Sequence, residues 1–298
     1  MILVVGDLIL DQIILSKSHK KSPEAPVPLL IPIKKKYFLG GAANVANNIK
    51  KFGENVMLVG ISDPNLYNST IILQNLLKKN FINSKIFKSK NFIPPLKKRV
   101  FCNDRMIYRI DYEKKNINDK FEKMFSFIKK NIKKFSILVV SDYNKGTFKR
   151  KNYKKLVNFF RKNNKLTICN PKKNNISYYN GCDIIVPNEK EFNSFFNIKS
   201  SLNKKIKTYF KKNPQLKHLI ITRGSKNVIL SSKQKISYLK VKKINPSDVT
   251  GASDTFISIL AIYLKKKYSL EESINKAIIA SRTVIQKRYT ASIKKNEI

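Results

Sequence analysis

The chain has 298 residues, of which 61 are Lys or Arg and 19 are Asp or Glu, a formal charge of +42. This length supports a buried core without disulfide or metal staples, and a hydrophobic share of 42% with no apolar run of transmembrane length excludes a membrane-spanning chain. The three cysteines, Cys102, Cys169 and Cys182, share no metal-ligand spacing and leave no even disulfide framework, which points to a reducing, cytoplasmic setting.

The opening "MILVVGDLILDQIIL" is interrupted by Asp7 and Asp11 and lacks a basic leader, so it reads as a core strand (2–6) and its continuation. The segment "GGAANVANNIKKFG" (40–53) puts Ala42, Val45, Ala46 and Ile49 on one helical face. A strand at 56–60 and a helix at 70–81 follow. The centre repeats the theme with helix 118–134, strand 137–141, helix 150–163, strands 166–169 and 183–186, and helix 189–195. Strands at 219–222 and 228–231 precede two closing helices, about 254–266 and 270–287. Such alternation predicts an α/β fold, a doubly wound and mostly parallel sheet flanked by helices. Residues 12–38 and 92–112 break the alternation with strand-like pieces and predict a small β lid inserted in one domain spanning 1–298.

The lysines are spread over every surface helix, as in "FEKMFSFIKKNIKKF", and no zinc-finger, RNP or basic-zipper pattern occurs. Of the two readings of the charge, compositional drift is favoured over a nucleic-acid binder. His19 and His218 have no partners at catalytic or metal spacing and read as structural or surface residues.

Ligands of open α/β sheets bind beyond the carboxyl ends of the strands. Six loops fall there: "GD" (6–7), "SDYNKG" (141–146), "NPKK" (170–173), "PNEKE" (187–191), "TRGSKN" (222–227) and "TGASD" (250–254). In the last, small residues open a helix whose N–H groups and dipole favour an anion, and Asp254 falls in the first turn. It suits a general base for phosphoryl transfer and equally a helix N-cap. Asn188 and Glu191 at i, i+3 could hold Mg²⁺ through water beside phosphates; taken alone, an Asn cap with a helix-stabilising Glu is the favoured reading. "TRGSKN" is either a nucleotide-side turn or a plain hairpin. Lys97, Lys98 and Arg99 in the lid could grip a substrate phosphate or form a solvated edge.

In this order the loops resemble the ribokinase-type (PfkB) sugar kinases over nearly the whole chain. "GGAANVANNIKKFG" resembles the family's N-terminal signature, "DVTGASDTF" its C-terminal one, and "NEKE" its N-x-x-E motif. Within the family, "SPEAPVPLLIP", "SDYNKG" and "NPKK" resemble the kinase half of bifunctional heptose-7-phosphate kinase/heptose-1-phosphate adenylyltransferases. The resemblance implies a ribokinase-like fold and ATP-dependent phosphorylation of D-glycero-β-D-manno-heptose 7-phosphate at its C1 hydroxyl, toward ADP-heptose and the lipopolysaccharide core; the alternatives are another PfkB-type sugar kinase and a degraded, weakly active or non-catalytic ligand-binding relative. It implies ATP and Mg²⁺ as cofactors, a homodimer through the lid, and neither a specific nucleic acid nor a membrane as partner. By the same resemblance Asp254 is the base and Gly251, Ala252 and Ser253 form the anion hole. Asn188, Glu189, Lys190, Glu191, Thr222 and Gly224 bind ATP, with Mg²⁺ near Asn188 and Glu191. Asp7, Asp11, Gly40, Gly41 and Asn44 contact the sugar, and Lys97, Arg99 and Lys172 serve its 7-phosphate. No adenylyltransferase motif occurs in these 298 residues, so the kinase step alone is expected of them. Ser253 stands where the family has Gly, Asn170 where it has Asp, and Asn227 where it has a turn Gly. Ile278, Arg282 and Tyr289 also depart from the family pattern. These changes are expected to weaken the ATP half of the site, and Ser253→Gly to raise turnover.

Overall fold

The computed structural model describes residues 1–18, 20–63, 68–90, 92–114, 117–172, 179–196 and 200–298; His19 and Lys173 lie outside them. Strands β1 (Ile2–Gly6), β4 (Val56–Ser62), β5 (Asn83–Lys88), β8 (Ile137–Ser141), β9 (Leu166–Asn170), β10 (Ile184–Ile185), β11 (His218–Ile221), β12 (Val228–Ser231) and β13 (Ile236–Leu239) form one sheet. Its order is β13-β12-β11-β10-β9-β8-β1-β4-β5. From β11 to β5 all neighbours are parallel, and β12 and β13 add an antiparallel edge. The doubly wound expectation is borne out.

Period-two alternation divides each strand between two cores. In β1, Ile2 and Val4 face one core and Leu3 and Val5 the other. The first core packs under α1 (Ala42–Lys51), α2 (Asn68–Lys79), α7 (Ala252–Lys265) and α8 (Leu270–Ile285). The second packs under α3 (Phe121–Lys130), α4 (Arg150–Lys162) and α6 (Leu202–Lys212). A short helix, α5 (Glu189–Asn193), follows β10. Expected helix 118–134 is shorter, ending at Lys130 before a separate 3-10 turn at Ile132–Lys134.

The lid is a second sheet of four strands, ordered β3-β2-β6-β7: β2 (Leu8–Lys17), β3 (Ile31–Gly41), β6 (Leu96–Cys102) and β7 (Arg105–Tyr112). It is rooted deeper than the expected 12–38. β2 starts one residue past Asp7, and β3 runs directly into α1. Among the described residues no helix is long and apolar enough to cross a membrane.

Candidate functional site

The sharpest local feature is the start of α7. Gly251 caps the helix at φ 84, a left-handed conformation that a side chain resists. A Cβ there would also stand 3.1 Å from Asn44 Nδ2. Ala252, Ser253 and Asp254 make the first turn, where N–H groups lack intrahelical acceptors and the dipole is positive. Asp254 is the third helical residue, so it is not the cap. Its buried carboxylate turns inward: Oδ2 accepts from Asn44 Nδ2 at 2.9 Å and Oδ1 from the Tyr143 hydroxyl at 2.6 Å. Burial raises its pKa, against the pull of these two bonds and of the Lys172 charge.

Asn44 is itself held. Asn48, one turn on in α1, donates to the Asn44 carbonyl at 3.0 Å and to its Oδ1 at 3.3 Å, while Asn48 Oδ1 accepts from Ile293 N at 3.0 Å. The turn from β3 into α1 needs Gly41. Its φ is 57, and a Cβ would lie 2.5 Å from the Asp7 carbonyl. Gly40 lies against Asp11. The Asp11 carboxylate is buried and accepts from Arg99 Nη1 at 2.9 Å and Thr290 Oγ1 at 2.9 Å.

Two expected ligand contacts are put to different use here. Asp7 accepts three backbone N–H groups, from Tyr143 (2.7 Å), Lys145 (3.0 Å) and Thr147 (3.1 Å). It is the anchor of the 143–147 loop instead of a group facing open space. Arg99, expected at a phosphate, is nine-tenths buried and directs its guanidinium to Asp11. Lys97 and Lys172 keep a place near the chemistry. Both ammonium groups lie over the Tyr143 ring, 5.4 and 4.6 Å from its centroid. Burial lowers the Lys97 pKa, opposed by the Asp11 charge. Burial, then the Asp254 charge, holds the Tyr143 hydroxyl well above its usual pKa, so it stays a donor.

The second half of the site lies across β10 and β11. Asn188 Oδ1 accepts from Glu191 N at 2.8 Å, and Glu191 Oε2 accepts from Asn188 N at 2.8 Å. This reciprocal pair is the helix cap of the plainer reading. Glu191 Oε1 also accepts from Lys172 Nζ at 2.9 Å. Each Glu191 oxygen keeps a lone pair beyond these bonds, so the cap leaves room for a water-mediated contact to Mg²⁺ and no direct one is needed. The described residues hold no group of three or more His, Cys, Asp or Glu side chains that could bind a metal ion. Glu189 pairs with Arg223 at 3.1 Å, and Lys190 is exposed. "TRGSKN" joins antiparallel β11 and β12, so it is a hairpin. It nevertheless borders a cavity of about 260 Å³ that reaches the first turn of α7. Thr222, Gly224, Val228, Phe256, Ile278 and Arg282 line it with Ala252 and Ser253. Arg282 Nε is buried in this wall and has no hydrogen-bond partner among the described residues. Asn227 is not among the residues with positive φ, so the missing glycine causes no strain there.

Sequence reasoning overlooked Tyr143 as a residue with a role. The loop "SDYNKG" stood out, but a tyrosine 111 positions from its carboxylate partner carries no local signal. Thr290 was overlooked for the same reason.

A family model described as pfkB family carbohydrate kinase matches residues 1–296. The chain is 32% identical over 303 residues to the bifunctional protein HldE of Helicobacter pylori strain G27, covering all of this chain and 65% of that protein. It therefore spans just under two thirds of that relative's length. An "uncharacterized sugar kinase" of Buchnera aphidicola subsp. Schizaphis graminum is 33% identical over 304 residues, covering 100% of this chain and 95% of the relative. Among solved structures, phosphofructokinase-2 of Escherichia coli with substrates and products superposes with a TM-score of 0.79 at 15% identity. That match covers 100% of this chain and 97% of the other, a likeness of fold.

Proposed function

The chain belongs to the pfkB family of carbohydrate kinases, and from that premise we propose that it transfers the γ-phosphoryl group of ATP to the C1 hydroxyl of D-glycero-β-D-manno-heptose 7-phosphate. One observation carries the reading: a buried carboxylate, Asp254, stands in the first turn of α7, and two lysines lie over the ring of the tyrosine that bonds to it. Each carboxylate oxygen has lone pairs beyond those used by Asn44 and Tyr143. One of them takes the proton of the sugar hydroxyl. The freed oxygen attacks the γ-phosphorus, the bond from that phosphorus to the β–γ bridging oxygen breaks, and ADP leaves. The N–H groups of Gly251, Ser253 and Asp254 would face the charge that builds on the phosphoryl oxygens, while the Ala252 N–H bonds the Val249 carbonyl at 3.4 Å. Burial, by raising the Asp254 pKa, moves it toward the range a base needs near neutrality.

The 260 Å³ cavity suits the base and ribose of the nucleotide, with the phosphates running out to α7. Arg282 supplies that cavity with a cation. Thr222 and Gly224 shape its rim, and the 187–191 loop is tied to that rim through Thr222, whose carbonyl accepts from Glu189 N at 3.0 Å. Mg²⁺ would be carried in with ATP on its phosphates, and Asn188 and Glu191 would reach it through water. Lys97 and Lys172 take the acceptor's own phosphate, which favours a phosphorylated sugar over a neutral one. The choice of heptose rests on the "SPEAPVP", "SDYNKG" and "NPKK" resemblance and on the HldE relatives.

β7 is exposed throughout, and Tyr108, Ile110 and Tyr112, paired with alternate residues of β6, make one side of it apolar. A second copy of the chain is the proposed cover for this face. ADP release measured with heptose 7-phosphate, fructose 6-phosphate and ribose tests the substrate. Turnover at least tenfold more efficient with the heptose is expected; equal use of ribose would remove the phosphate-binding role of the lysines.

A further inference from the structure

Two of the departures from the family pattern, Asn170 and Ser253, touch each other although 83 positions separate them. Asn170 Nδ2 donates to Ser253 Oγ at 2.9 Å and to the Val186 carbonyl at 3.1 Å. A carbonyl can only accept, so Val186 fixes which way the amide points. Both Asn170 N–H groups are therefore used, and Ser253 Oγ is the acceptor in its bond. Its own proton is left to donate elsewhere, and among the described residues no acceptor takes it. Ser253 sits on the cavity wall in the first turn of α7. Its φ is not positive, so the side chain brings no backbone strain. Asn170 is buried, and its Oδ1 has no partner among the described residues.

An Asp at 170 would behave otherwise. It has no N–H for the Val186 carbonyl, would draw the Ser253 proton onto itself, and would bury a negative charge beside the anion cradle. With Gly at 253 there would be no hydroxyl to direct. We infer that Asn170 and Ser253 act as a matched pair that adds a hydroxyl donor to the nucleotide-phosphate cradle, with Ser253 touching a phosphoryl oxygen and Asn170 positioning it. This rests on the kinase reading above and reverses the expectation that glycine at 253 raises turnover.

Binding of ATP and of adenosine to the full chain tests the pair, measured by calorimetry on wild type, Ser253→Ala, Ser253→Thr, Asn170→Asp, Ser253→Gly and the Asn170→Asp/Ser253→Gly double variant. Ser253→Ala and Asn170→Asp are each expected to weaken ATP about tenfold, the scale of one hydrogen bond to a charged group. Adenosine affinity stays unchanged, and Ser253→Thr, which keeps the hydroxyl, stays near wild type. In the Asn170→Asp background Ser253→Gly should have no further effect, because the proton is already diverted. Undiminished ATP affinity in Ser253→Ala, or equal losses from Ser253→Gly in both backgrounds, would overturn the pair and leave the kinase reading standing. No ATP affinity in folded wild type would overturn both.

Discussion

Replacing Tyr143 by Phe removes one oxygen and little else. The ring keeps its contacts with Lys97 and Lys172, so the packing around it is retained. What disappears is the 2.6 Å bond to Asp254 Oδ1. A hydrogen bond to a buried charged group contributes about 1.5–3 kcal/mol, and it favours the ionised carboxylate. Its loss therefore raises the proton affinity of Asp254 roughly 10- to 150-fold, on top of the upward shift that burial already imposes. The base must be unprotonated to work, so the acid limb of the pH profile of kcat/KM moves to higher pH. Well above that limb the variant recovers much of its activity, because the carboxylate is still held by Asn44 at 2.9 Å. The assay is initial-rate ADP release across pH with sugar phosphate and Mg·ATP. An acid limb identical in wild type and variant would refute the idea that Tyr143 tunes this carboxylate. A loss of equal size at every pH would instead assign Tyr143 to shape alone.

Asp254→Asn should raise the thermal midpoint at neutral pH, by a free energy on the order of 1–3 kcal/mol. A carboxyl whose folded pKa is raised binds more protons folded than unfolded. Its contribution to stability is thus full below the unfolded pKa and falls as pH rises through the folded one. The gain from the neutral amide should accordingly vanish in acid, which calorimetric scans at several pH values would reveal. Gly251→Ala forces a Cβ into the left-handed region at φ 84, costing about 1–2 kcal/mol. It also crowds Asn44 Nδ2 at 3.1 Å, so urea midpoint and turnover should both drop. Lys97→Met and Lys172→Met should each raise KM for the sugar phosphate roughly tenfold or more while leaving KM for ATP nearly unchanged; steady-state kinetics with each substrate varied separates the two.

Much of the fold was legible because its strands are buried on both faces. "ILVVG" and "ILVVS" are continuous apolar runs, and these became β1 and β8 at the centre of the sheet. The edges were harder. β5, "NSKIFK", pairs on one side and keeps Asn83, Ser84 and Lys85 exposed, and β13 is four residues long. Such strands are specified by the neighbour they pair with more than by their own pattern. The lid's extent was misjudged for a similar reason, since β2 follows β1 after a single residue and no turn signal marks the change of sheet.

The site divides the same way. "DVTGASD" and "GGAANVANN" are local patterns, and the Asn44–Asp254 bond joins them. "NEKE" was ambiguous in the sequence, and its side chains turned out to complete a capping box, an arrangement the four residues specify by themselves. Bonds across long separations were invisible. Tyr143 to Asp254, Asp7 to the 143–147 loop, and Asn170 to Ser253 depend on which strand ends the sheet order makes neighbours. For that reason Ser253 and Asn170 looked like two losses when taken singly.

The central claim is that Asp254 removes the proton of a sugar hydroxyl during phosphoryl transfer. Single-turnover formation of ADP, with enzyme in excess over Mg·ATP and saturating heptose 7-phosphate, measures that step apart from product release. The account predicts that Asp254→Asn binds ATP as wild type does and forms ADP about 10²–10⁴-fold more slowly. Equal rates in the two proteins would contradict it.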